Sequence, residues 1–238
     1  MPNAPHYLII GNGRVARHFL HYLSLLNLPV SQWHRGENLA GLRELLPSAT
    51  HILLLISDEA IEPFIEDHLQ ATSAVRVHFS GALVSRKAHG AHPLMTFNWG
   101  LYTLGKYRFI PFVVDADAPA FETLLPGLPN THQSLPVHLK AKYHAVCVLS
   151  GNFSCLLWQK FFDTLASEFH FPPEMGHAVL RQQMENLLED WTSAFTGPLA
   201  RGDRKTIEKN LVALRGDPFK AIYQSFVDAY PLMKEQLP

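Results

Sequence analysis

Hydrophobic positions in the first half of the chain fall into short runs separated by helical patterns. Tyr7-Leu8-Ile9-Ile10 is a compact apolar run ending at Gly11, the pattern of a strand covered on both faces of a parallel sheet. From Val15 to Leu26 the period lengthens, and Val15, Phe19, Tyr22, Leu23 and Leu26 share one broad helical face. Pro29 to Trp33 predicts a second strand, Leu39 to Leu46 a short helix, and His51 to Ile56 a strongly apolar central strand. Ser57 stands where it can cap the next helix, which carries Ile61, Phe64 and Ile65. Further strands are expected over Val75 to Phe79, Arg108 to Val114 and, at an edge, Thr131 to Leu135, with a helix over Pro119 to Leu125. This alternation predicts an α/β domain on an open, doubly wound, mostly parallel sheet, because parallel neighbours need crossover helices.

Past Leu139 the strand signal stops. Ala141 to Ser167 reads as one long helix, Pro172-Pro173 as a loop, and Met175 to Phe195 as a second helix. Gly197-Pro198 breaks the pattern, and Arg204 to Leu214 and Pro218 to Tyr230 follow as two more helices. The boundary is placed at Pro136, giving a sheet domain over residues 1–136 and an all-helical domain over residues 137–238.

Composition narrows the partners. Apolar residues make up 47% of the 238 residues, enough to fill cores, and a net charge of −1 with scattered Lys and Arg argues against nucleic acid and anionic membranes. The longest aliphatic run, Ile52 to Ile56, is too short to cross a bilayer, and the opening residues lack the basic and apolar regions of a secretory signal. Cys147 and Cys155 are the only cysteines, and eight residues of helix hold them too far apart to bond. The expectation is a cytoplasmic protein, in which Arg201-Gly202-Asp203 has no use as an adhesion tripeptide.

The chemistry begins at Gly11-x-Gly13-x-x-Ala16, directly after a strand and opening a helix. In that setting the pattern is a dinucleotide-binding fingerprint, and the first domain is expected to be of Rossmann type. Gly11 permits the turn, and Gly13 lets the backbone approach a diphosphate. Ala16 lets helix and strand pack closely. The helix N-terminus is expected to present free N–H groups to the phosphates, with the diphosphate resting on the backbone of Gly11, Asn12, Gly13, Arg14 and Val15. An NAD site carries an acid near the end of the second strand. That place here is Trp33-His34-Arg35, where Arg35, aided by His34, can pair with a 2′-phosphate. The expected cofactor is therefore NADP(H). Ser57-Asp58 and Ser80-Gly81 follow two further strands and are expected to line the same crevice.

The segments "GNGRVARHF", "ISDEAI", "VHFSGAL", "HPLMTF", "KYHAVCVLSGNF" and "TGPLARGDRKTIEKNL", in this order, resemble an uncharacterised Rossmann-like family labelled as NADP-dependent oxidoreductases. That family is distantly similar to pyrroline-5-carboxylate reductase, ketopantoate reductase and prephenate dehydrogenase. The resemblance implies a helical second domain like that of six-phosphogluconate dehydrogenase and a homodimer built on it. It supplies no substrate.

Hydride transfer needs a proton donor or acceptor beside the reacting carbon. His144 is the candidate acid on the first helix of the second domain, with Asn152 as a hydrogen-bonding partner for a substrate oxygen on broadly the same side. Lys142 loosely resembles the helix lysine of related dehydrogenases, but its spacing to Asn152 departs from theirs. His92, before Pro93, resembles a substrate-proximal His-Pro pair of prephenate dehydrogenases and is expected after a strand and a loop. Thr196 and Arg201, around the Gly-Pro break, are candidates for an anionic substrate group, with Asp203 capping the helix that follows. His89-x-x-His92 has no neighbouring carboxylate or cysteine to complete a metal site. Two readings stay open. One is an NADP(H)-dependent oxidoreductase acting on a small polar, anionic substrate. The other is a non-catalytic nucleotide-binding dimer that acts as sensor or scaffold.

Overall fold

The computed structural model describes residues 4–235. Seven strands among them form one sheet: β1 (Tyr7–Ile10), β2 (Val30–Trp33), β3 (His51–Leu54), β4 (Val75–His78), β5 (His89–Pro93), β6 (Phe112–Asp115) and β7 (His132–Leu135). Their spatial order is β2-β1-β3-β4-β5-β6-β7. All neighbours run parallel except β5 and β6, so β6 and β7 point against the other five. This is the mostly parallel Rossmann sheet with β7 at the edge.

The side-chain alternation of β1 divides two cores. Tyr7 and Ile9 face one layer, where α1 (Arg14–Leu25), α4 (Leu104–Arg108) and α5 (Phe121–Leu124) contribute Phe19, Tyr22, Tyr107 and Phe121. Leu8 and Ile10 face the other, where α2 (Leu39–Leu45) and α3 (Asp58–His68) contribute Leu42, Ile61 and Ile65. Full burial of each such side chain contributes about 1.5–3 kcal/mol. A polar knot secures the first layer: the Tyr22 hydroxyl donates to Asn130 Oδ1 at 2.6 Å, and Asn130 Nδ2 donates to the carbonyls of Tyr107 and Ile110. Burial pushes the Tyr22 hydroxyl up to about 12. His18 extends the knot, with its Nδ1 against the Tyr107 hydroxyl and its Nε2 against the Asn98 carbonyl, tying down the loop after β5.

Several boundaries differ from the sequence reading. The strand expected from Arg108 begins only at Phe112, because Thr103 caps α4 by accepting from Lys106 N–H and the helix holds Arg108. His92 and Pro93 lie inside β5, a strand whose Gly, His and Pro content gives no alternation signal. Ser57 occupies the N-cap of α3 with extended backbone but makes no side-chain capping bond, and the residue lines a cleft.

The chain forms two compact units, Met1–Leu156 and Leu157–Pro238. The last strand ends one residue before Pro136, and the elements described beyond it are helices joined by turns. The long helix expected from Ala141 to Ser167 is α6 (Lys140–Cys147), six residues with wider π-type turns (Val148–Phe153), then α7 (Ser154–Ser167). The Ser150 and Ser154 hydroxyls donate to the carbonyls of Val146 and Ser150, bonds that compete with the regular helical ladder. The second unit also holds α8 (His177–Glu189), α9 (Pro198–Arg201), α10 (Arg204–Ala213) and α11 (Phe219–Lys234). The helix expected to reach Phe195 stops at Glu189, after which the Asp190 carboxylate accepts from Thr192 and Ser193 hydroxyls and closes a turn. Gly202, at φ 69°, ends α9 in the left-handed region. Asp203 caps α10 by accepting from Thr206 N–H, as expected.

Candidate functional site

The order of strands places a switch point at β1. The chain crosses from β1 to β2 on one side and then to β3 on the other, so the loops after β1 and β3 diverge and leave a crevice at their carboxyl ends. A cleft of about 580 Å³ lies there, lined by Gly11, Asn12 and Gly13 after β1, by His34 and Arg35 after β2, and by Ser57 before α3.

The two loop glycines play different parts. Gly11 has φ 125°, and a Cβ on it would stand 2.3 Å from the Leu55 carbonyl oxygen, so only glycine lets the first loop pass the end of β3. A Cβ on Gly13 would meet nothing within 4 Å; the space is open. Gly13 is also the N-cap of α1, which has no side-chain cap and no acid in its first turn. Unpaired N–H groups and an unopposed dipole therefore face open space, as anion binding requires. Ala16 is fully buried, which lets α1 pack closely on the sheet. The residues fit a dinucleotide diphosphate.

Arg35 is exposed at the cleft rim, and no described carboxylate pairs with it within 4.0 Å. His34 is engaged on both ring nitrogens: Nδ1 accepts from Gly36 N–H, and Nε2 lies 3.2 Å from Glu37 Oε1. Glu37 does not line the cleft. The opposite wall comes from α3, with Pro63, Phe64, Asp67 and His68, none of which the sequence reading assigned to the site. The helical period that makes Ile61 and Ile65 core residues carries the signal for Phe64 and His68, since both lie beside that face.

Asp58 and Ser80 bridge the ends of β3 and β4. The Ser80 hydroxyl donates to Asp58 Oδ2 at 2.5 Å and accepts from the N–H groups of Ala82 and Leu83, which shapes the turn at Gly81. Arg14, Val15, Asp58, Ser80 and Gly81 do not line the 580 Å³ cleft; Asp58, Ser80 and Gly81 belong to a second group of residues at the same end of the sheet.

That second group is centred on histidines. A Cβ on Gly81 would stand 2.7 Å from His144 Nδ1 and 3.3 Å from His92 Nε2, so the absent side chain lets both rings approach the backbone. His92 Nδ1 lies 2.7 Å from the Tyr143 hydroxyl, and the His92 and His144 ring centroids are 6.2 Å apart at 89°. Burial, then the charges of His144 and Lys140, push His92 down to about 4, against a smaller opposing effect of Asp58. At neutral pH His92 is therefore an uncharged ring. Burial, and then Cys147, raise the Tyr143 phenol. His144 Nδ1 is buried without a hydrogen-bond partner, as are both ring nitrogens of His78, which burial pushes down to about 4.

The other sequence candidates are exposed side chains. Lys142 is exposed on α6. Asn152 is exposed on the π-type turns, so the even 100° step that aligned it with His144 does not apply. Thr196 and Arg201 are exposed in the second unit. Among the described residues the buried lysine is Lys140, two residues earlier, a position that no local pattern marks as buried. No group of three or more His, Cys, Asp or Glu that could hold a metal occurs among the described residues, and no described helix is long and apolar enough to cross a membrane.

The chain belongs to the family described as Domain of unknown function (DUF2520), whose model matches residues 110–230. No curated protein matches it in sequence. Among solved structures it is similar to BF3122 from Bacteroides fragilis, provisionally named an NADP oxidoreductase, at 18% identity over 94% of this chain and 97% of that one, with TM-score 0.73. It is also similar to protein TM1727 from Thermotoga maritima, at 21% identity over 97% and 98% of the two chains, with TM-score 0.67. A reductive aminase from Aspergillus terreus, solved with NADPH and ethyl levulinate, matches at 14% identity over 95% and 94%, with TM-score 0.57. At these identities the likeness is one of fold.

Proposed function

We propose that this member of the DUF2520 family is an NADP(H)-dependent oxidoreductase that transfers a hydride to or from a small polar, anionic substrate. The observation that carries this reading is the crevice at the switch point: an uncapped helix N-terminus over the open side of Gly13, with Arg35 unpaired at the rim. The names of the fold neighbours, an NADP oxidoreductase and an NADPH-bound reductive aminase, agree with it.

Bound nicotinamide supplies or accepts the hydride. The backbone of Gly11 to Val15 would hold the diphosphate, and Arg35 would read the 2′-phosphate, which distinguishes NADP(H) from NAD(H). The second group would then handle the proton. His144 is our proton donor, with its Nδ1 unpartnered, and the His92–Tyr143 pair beside it orients the substrate. Asn152 is proposed to hydrogen-bond the substrate and Arg201, with Thr196, to meet its anionic group. Lys142, exposed on α6, is proposed as a further catalytic position.

We further propose a homodimer through the helical unit. Its buried apolar residues are Leu165 and Ile207 among those described, whereas Leu188 is 88% exposed and Met175 and Trp191 are each 64% exposed. Light scattering on the purified protein tests this; a monomer at high micromolar concentration overturns it.

Isothermal titration with NADPH and NADH tests the cofactor. NADPH is expected to bind more tightly, and the absence of heat from both at millimolar levels overturns the reading. Loss of NADPH absorbance with a panel of keto acids and cyclic imines tests the reaction.

A further inference from the structure

Behind the histidine group lies a buried ion pair that no part of the proposed reaction uses. Lys140 is 3% exposed and Asp115 is 6% exposed, and Nζ lies 2.7 Å from Oδ1. The contact is an ion pair without hydrogen-bond alignment, since Nζ has no partner of suitable angle. The second carboxylate oxygen accepts from Gly90 N–H at 3.0 Å.

Sheet register explains how the pair fits. Gly90 on β5 stands opposite His78 on β4 and in line with Asp115 on β6, which follows the aligned pair Ala91 and Val114. A Cβ on Gly90 would stand 2.5 Å from both Asp115 Oδ2 and Lys140 Nζ. The missing side chain is the space the pair occupies. His92 is two residues along β5 and so on the same face. Lys140 opens α6, and Tyr143 and His144 sit three and four residues on, one turn along the same helical face.

We propose that Lys140 is a positioning residue: its ion pair with Asp115 in the gap at Gly90 pins the first turn of α6 to β5, sets Tyr143 and His144 against His92 and Gly81, and places a positive charge beside His78 and His92. This rests on the reading of the histidine group as the proton-handling part of the site. The charged and titratable groups facing His92 are Tyr143, His144 and Lys140 from α6 and Asp58 from α3; those facing His78 are Lys140, Asp58, Glu62 and His89. Taking Lys140 away removes a cation from both lists.

The test is ring-by-ring histidine titration by NMR on the full chain, with NADPH affinity measured in parallel. Three changes are compared: Lys140→Met, the apolar pair Asp115→Leu/Lys140→Met, and Gly90→Ala. The apolar pair keeps the cavity filled without a lone buried charge, so it guards against a single variant that fails to fold. Gly90→Ala keeps both charges but expels Nζ from its place. In the variants that lack Lys140 the His92 and His78 midpoints are expected to rise from about 4, least in the apolar pair, which also loses the Asp115 anion, while burial still holds them below the ordinary histidine range; hydrogen exchange at the Tyr143 and His144 amides is expected to be at least tenfold faster in Gly90→Ala. Unmoved midpoints in the apolar pair, or unmoved exchange in Gly90→Ala, overturn the proposal even where NADPH binds normally. Midpoints that shift in the variants while the wild-type chain binds no NADPH would instead sink the oxidoreductase reading and leave the positioning role standing.

Discussion

The ring of His92 and the hydroxyl of Tyr143 meet at 2.7 Å although 51 residues separate them in the chain. One comes from the last strand of the parallel run, the other from the first helix after the sheet. Their contact, with His144 beside them, brings titratable groups of two elements to one end of the sheet. Replacing His144 by Ala is expected to lower turnover of a substrate found by screening by about 10²-fold or more, the usual range for a lost general acid, with NADPH affinity unchanged. Tyr143→Phe is expected to lose less, since it removes only an orienting bond to His92. Steady-state kinetics beside NADPH titrations decide it; full activity in His144→Ala removes that residue as the donor.

Arg35→Asp separates the two pyridine nucleotides. A charge-assisted contact to the 2′-phosphate is worth about 1.5–3 kcal/mol, so NADPH affinity is expected to fall about 10- to 100-fold and NADH affinity to change little. Equal losses for both would assign Arg35 no part in cofactor choice.

The loop glycines make opposite predictions. Gly13→Val adds a side chain where the chain itself leaves open space, so thermal stability is expected to hold while NADPH binding is lost. Gly11→Ala drives a methyl against the Leu55 carbonyl at a φ of 125° and is expected to cost stability first, by about 1–3 kcal/mol. Calorimetric unfolding of both variants, with and without NADPH, separates the two effects.

Acid should weaken the first unit before its carboxylates titrate. His78 and His92 are both pushed from the ordinary 6.5 to about 4 by burial. Between those values the unfolded chain binds protons that the folded chain refuses, so stability falls as pH drops through this window and is fully present above it. His51, also lowered by burial, adds in the same direction. The combined loss is on the order of a few kcal/mol. Urea unfolding at pH 7 and pH 4.5 measures it, and His78→Gln should flatten the slope. Equal stability at the two pH values would contradict the buried, neutral state of these rings.

Asn130→Ala strips three hydrogen bonds from a buried knot and leaves the Tyr22 hydroxyl and the Ile110 carbonyl unpaired, while the Tyr107 carbonyl keeps the Ile110 N–H. A loss of about 2–4 kcal/mol is expected, from unsatisfied groups at about 1–3 kcal/mol each with partial relaxation. Urea denaturation checks it; a loss under about 0.5 kcal/mol would mean that water replaces the amide.

Local order was legible in the residues. The run Tyr7 to Ile10, the glycines beside it and the period through Phe19 and Leu23 define a strand, a turn and a helix whose pattern needs no distant partner, and one wall of the crevice follows from them. Asp203 was legible for the same reason, because a cap acts over three residues. Where propensity is weak, the reading failed: β5 spells His-Gly-Ala-His-Pro and pairs because its neighbours supply the ladder. The sequence alone therefore determined most of the elements, the mostly parallel sheet and the glycine turn that opens α1. Only the tertiary structure decided that Lys140 and not Lys142 is buried, that Gly90 leaves room for an ion pair, and that His92, Tyr143 and His144 share one place. Those outcomes depend on which strand lies beside which and on where a side chain is missing, and no local period encodes either.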